Sequence, residues 1–115
     1  MKFEDLEVWK KSVELSVLVY KQTRSLADYG FKDQITRSAL SIPSNIAEGF
    51  DRESNKETLY FLSIAKASCA ELRTQVIIGE QVPFLDKEFS DYAKNETLKI
   101  TTMLKALIRT RKSFN

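Results

Sequence analysis

The chain has 115 residues, 43% of them apolar, with three glycines, two prolines, one cysteine and no histidine. This is the length of one domain, residues 1–115, too apolar for disorder and too poor in turn formers for an all-β fold. Net charge is only +2, no run approaches the apolar length of a membrane span, the N-terminus lacks a signal peptide's apolar core, and a lone cysteine closes no intrachain disulfide, so a cytoplasmic protein is expected.

Helix one is expected from Asp5 to Ala27. Leu6, Trp9, Val13, Ser16, Tyr20, Thr23 and Ala27 alternate spacings of three and four, a heptad stripe. "DYG" ends it, with Gly30 free to take positive φ. Helix two is expected from Asp33 to Glu48, with Gly49 just past its end as a left-handed cap.

Two stripes run along helix two. Ile35, Ala39, Ile42, Ile46 and Gly49 form an apolar row. Gln34, Ser38, Ser41, Asn45 and Glu48 form a polar row one residue, roughly 100°, away. Serine and asparagine are poor formers of a solvated helix face, but they suit a close, hydrogen-bonded helix contact. Pro43 falls among Ala39, Ile42 and Ile46 along the chain. It removes an N–H and clashes with the Ala39 carbonyl, so a kink is expected, with Ser41, Ser44 and Asn45 near enough to serve that carbonyl. The alternative ends helix two at Leu40 and starts a short helix at Pro43.

Helix three opens on a capping box, Ser54 with Glu57, and carries Leu62, Ala65, Cys69, Leu72, Val76 and Gly79. Pro83 breaks the chain after it. Helix four starts near Asp86 and runs to Lys112 with Phe89, Ala93, Glu96, Ile100, Met103 and Leu107. Four helices with short loops read as an all-α, antiparallel up-down-up-down four-helix bundle.

The segment "QITRSALSIPSNIAEGF" resembles the signature of the bacterial 23S rRNA intervening-sequence family. "FEDLEVWKKSVELSVLVYKQT" is similar to that family's first helix, and "FLSIAKASCAELRTQVIIGEQVPFL" to its third, so the resemblance covers roughly residues 3–86. It implies an antiparallel bundle assembled as a homopentameric ring. It also implies kinship with the accessory protein of diversity-generating retroelements, a basic pentamer that binds nucleic acid and a reverse transcriptase.

The residues offer little catalytic chemistry. Without histidine the commonest general base and metal ligand are missing, as is the Glu-x-x-His motif of di-iron bundles. Cys69 lies on an apolar stripe and reads as core. Neither an enzyme nor a cofactor is expected. Glu48, Glu71 and Glu96 are placed to point inward, and Glu71 is expected to pair with Arg37 across helices two and three.

Charge is uneven. Residues 1–60 carry nine Lys/Arg against ten Asp/Glu, residues 61–115 nine against six. From Lys99 onward come Lys99, Lys105, Arg109, Arg111 and Lys112, with no acid among them. Lys105, Arg109 and Lys112 share a face, as do Lys66 and Arg73 on helix three. These seven are the candidate contacts to RNA or DNA backbone. Only Phe114 interleaves with the tail's cations, so the tail does not support base stacking. The same charges also complement a helix C-terminus. Val8, Leu15, Leu18 and Val19, with Phe50, Tyr60, Phe61, Ile64, Ile77 and Ile78, widen the apolar faces. Either one wide core or a self-associating surface uses them. Two functions follow: a nucleic-acid-binding oligomer, or a scaffold that docks a protein.

Overall fold

The computed structural model describes residues 2–114. A short 3-10 turn, Phe3–Asp5, precedes four helices: α1 Glu7–Thr23, α2 Tyr29–Phe50, α3 Asn55–Gln81 and α4 Lys87–Lys112. Each helix packs on its neighbours in the chain, and α4 closes back on α1. Side-chain links fix the directions. Ser38 reaches Glu71 and Ser41 reaches Ser68, so residue numbers rise along α2 as they fall along α3. Asn55 meets Arg111 while Arg73 meets Lys94, which makes α3 and α4 antiparallel. The result is an up-down-up-down bundle measuring 47 × 21 × 20 Å.

Local chemistry sets the helix ends. Ser54 Oγ accepts from Glu57 N at 3.1 Å and Asp86 Oδ1 from Phe89 N at 2.7 Å, the two N-caps expected. Helix two starts earlier than expected, because Asp28 Oδ1 accepts from Phe31 N at 3.0 Å. That cap takes Tyr29 and Gly30 into α2, and no glycine among the described residues has positive φ. Helix one correspondingly stops at Thr23, short of Ala27.

Gly49 is likewise helical rather than a left-handed cap. Its lack of a side chain serves packing. A Cβ there would lie 3.2 Å from Phe61 Cβ and 3.3 Å from Thr58 O, and Thr58 Oγ1 donates to Gly49 O at 2.8 Å. The end of α2 therefore rests directly on the first turns of α3.

The core is built from Leu15, Val19, Ile35, Ile42, Ile46, Leu62, Leu72, Ile100 and Leu104, all fully buried. On α2 and α3 the expected stripes are the buried ones. On α1 the buried row is Val8, Ser12, Leu15, Ser16, Val19 and Thr23, so the expected row is displaced by about one residue. Only Ser16 and Thr23 belong to both. Tyr20, expected inside, is 45% exposed, and Ala27 is exposed beyond the helix. Two heptad rows fit this helix almost equally well, and tertiary packing selects the one with the branched aliphatics. No described helix is long and apolar enough to cross a membrane.

Candidate nucleic-acid interface

Helix two runs unbroken through Pro43, which is buried. The proline cannot donate to Ala39 O, and a carbonyl stranded in the core is costly. Ser16 of α1 donates its hydroxyl to that oxygen at 2.7 Å. The donor comes from the neighbouring helix, not from Ser41, Ser44 or Asn45. Asn45 Nδ2 instead donates to Ser41 O at 2.8 Å, and Ser41 shares a hydrogen bond with Ser68 at 2.8 Å. Ser38 donates to Glu71 Oε1 at 3.0 Å. The middle of the polar row is thus the seam between α2 and α3, while Gln34 at its end is exposed.

The expected Arg37–Glu71 pair is absent. Arg37 Nε lies 3.1 Å from Asp33 Oδ2, one turn back on an exposed face, where pairing costs no desolvation. The three carboxylates take separate partners. Glu48 pairs with Arg52, Glu71 accepts from Ser38, and the buried Glu96 sits 3.7 Å from Lys11 and 3.4 Å from Lys99. Burial pushes the Cys69 thiol up, with Thr101 and Arg73 opposing weakly, so it stays protonated at neutral pH.

Of the seven candidate cations, the structure separates three from the rest. Lys105, Arg109 and Lys112 are exposed on one side of α4 and have no carboxylate within ion-pair distance among the described residues. Lys99 shares its charge with Glu96. Arg73 is turned inward and donates to Lys94 O. Lys66, a heptad earlier on the same side of α3, is half-buried. Arg111 is a clasp. Its Nε donates to Asn55 Oδ1 at 2.9 Å, Asn55 Nδ2 donates back to Arg111 O at 2.8 Å, and its guanidinium lies 5.4 Å from the Phe50 ring centre and 5.1 Å from that of Phe114. Arg111 therefore joins the ends of α2, α3 and α4. Charge and face were readable from spacing, but the inward partners of Arg73 and Arg111 come from other helices.

A second surface feature is mostly apolar, although Lys21 and Arg24 also line it. Val13, Val17, Tyr20, Leu40 and Pro43 line an apolar groove of about 330 Å³ between α1 and α2. Val17 is 45% exposed and Leu40 50%.

Comparisons with known proteins agree with this architecture. A family model described as 23S rRNA-intervening sequence protein matches residues 4–106. A crystal structure from Bacteroides thetaiotaomicron VPI-5482, a protein with unknown function from the S23 ribosomal protein family, superposes with a TM-score of 0.82. It is 25% identical, over 88% of this chain and 97% of that one. No curated protein matches the sequence.

Proposed function

The chain belongs to the 23S rRNA-intervening sequence protein family, and from that premise we propose that it is a non-enzymatic cytoplasmic oligomer that binds nucleic-acid backbone through the Lys105–Arg109–Lys112 face of α4. The observation that carries this reading is the run after Lys99. It contains cations and no acid, and three of those cations stand exposed on one helix face. Three charges are a weak site alone. A ring of five copies, the assembly the resemblance implies, repeats them into a strong field. Binding of this kind reads phosphate, not sequence, and the absence of histidine together with a buried, protonated Cys69 supports a role without catalysis.

The test is binding of a labelled structured RNA and a matched DNA duplex across a salt series. Each phosphate contact contributes roughly −0.9 to the slope of log K against log salt. Micromolar or tighter binding with a steep slope is expected. Lys105→Gln with Arg109→Gln is expected to weaken it and flatten the slope by about two contacts for each copy that touches the nucleic acid. No binding at low salt overturns the reading.

A second reading rests on the apolar groove of Val17 and Leu40, which suits a docked protein. A reverse transcriptase is the protein partner to which the resemblance points. Its signature is complex formation with a shallow salt slope.

A further inference from the structure

We propose that the cleft between the end of α1 and the first turns of α2 holds a segment of single-stranded nucleic acid, with one base stacked on Tyr29 and its phosphate on Arg24. This cleft lies at the end of the bundle opposite the Arg111 clasp. Its volume is about 450 Å³, a size typical of small-ligand sites, and Tyr20, Arg24, Tyr29, Lys32, Asp33 and Thr36 line it.

Five observations carry the assignment. Two aromatic rings stand in solvent at one cleft, Tyr29 at 74% and Tyr20 at 45% exposure. Cations interleave with them along the chain in "YKQTRSLADYGFK", the pattern the α4 tail lacks. Lys32 and the Tyr29 ring are held together, since Lys32 Nζ donates to Arg24 O at 3.1 Å and lies 5.3 Å from the Tyr29 ring centre. The nearby acids are already engaged. Asp33 pairs with Arg37, and Asp28 accepts from Phe31 N. Thr36 donates its hydroxyl proton to Lys32 O at 2.7 Å, which leaves that oxygen's lone pairs to accept from a base N–H.

Stacking requires a base with its face uncovered, so the cleft takes a single strand and not a duplex. A free mononucleotide carries the same chemistry at one position only. The proposal shares with the preceding reading the premise that nucleic acid is the ligand, but it uses different residues at the other end of the molecule.

The test measures anisotropy of a labelled unstructured oligo-uridine RNA, the same strand with abasic sites, and an RNA duplex. The proteins are the full chain, Tyr29→Ala, Tyr29→Phe and the Lys105→Gln/Arg109→Gln pair. Tyr29 is exposed, so its substitution leaves the fold intact, as circular dichroism checks. Tyr29→Ala is expected to weaken the uridine strand about tenfold and to leave the abasic strand and the duplex unchanged, while Tyr29→Phe binds as the parent does. Single-strand binding within twofold of the parent in Tyr29→Ala overturns the proposal. So does equal loss on the abasic strand, or uridine monophosphate binding as tightly as the strand. Duplex binding that needs Lys105 and Arg109, with no single-strand binding, sinks the cleft and keeps the α4 reading. Tyr29-dependent strand binding without duplex binding does the reverse.

Discussion

A proline inside a buried helix leaves one carbonyl short of a donor, and in this molecule a single hydroxyl from the next helix supplies it. Ser16→Ala strands Ala39 O in the core, with an expected loss of about 1–3 kcal/mol in urea unfolding. Pro43→Ala returns an N–H at the right place, so the cost of Ser16→Ala should shrink in that background. A double-mutant cycle that shows simple additivity removes the pairing. The sequence made the missing donor readable at Pro43, but not its replacement, because Ser16 lies 23 residues away on another element. Cys69 gives a second residue-scale expectation. Its folded pKa is raised above the unfolded value by burial, so the thiol's contribution is fully present below the unfolded pKa. As pH rises past that value the unfolded chain ionises first, and stability falls. The parent should therefore lose more stability than Cys69→Ala between about pH 7 and 10, and its native thiol should resist iodoacetamide until the chain is unfolded. Rapid alkylation of the folded protein contradicts this.

Helices two and three meet through small groups: Gly49 against Thr58 and Phe61, and Ser41 against Ser68. Gly49→Val adds two methyl groups beyond a Cβ that already sits 3.3 Å from the Thr58 carbonyl, a backbone atom that cannot rotate aside. The expected cost is about 1–3 kcal/mol of overpacking, read as a lowered urea midpoint. An unchanged midpoint shows that the helices part freely there. Arg37→Ala, by contrast, removes only an exposed pair within α2 and should change stability by less than about 0.5 kcal/mol. At this scale the sequence was most informative where one apolar row dominated, as on α2 and α3. It misled on α1, where Leu6, Trp9 and Val13 compete with Val8, Leu15 and Val19 for the core. It also misled at "DYG", where the glycine suggested an end and the aspartate two residues before it caps a beginning. Caps can be read from sequence only when the side chain that accepts is chosen before the residue that follows.

At the scale of the whole molecule, the fold was legible because four helices with short loops admit few arrangements, whereas the surface was not. Exposure and inward partners decide which cations are available, and both depend on neighbours far along the chain, as Arg73 and Arg111 show. The same holds for the apolar surplus. Val8, Leu15 and Val19 enter the core while Tyr60 and Ile78 stay exposed, and Val17 and Leu40, outside that surplus, remain in solvent around one groove. Large apolar side chains clustered outside the core suit the association surface that the proposed oligomer needs. In a ring each such patch meets a different patch on the next copy, so one charge on one side breaks every interface at once. Leu40→Glu sits at an exposed helix position and should leave the bundle folded. Light scattering should then give the 13.2 kDa of one chain in place of a multiple of it. Affinity for structured RNA should fall with it, by roughly a hundredfold, because the α4 cations would no longer act together. A variant that keeps the parent's mass shows that copies meet elsewhere. One that becomes a single chain and binds RNA as before shows that three cations suffice without a ring.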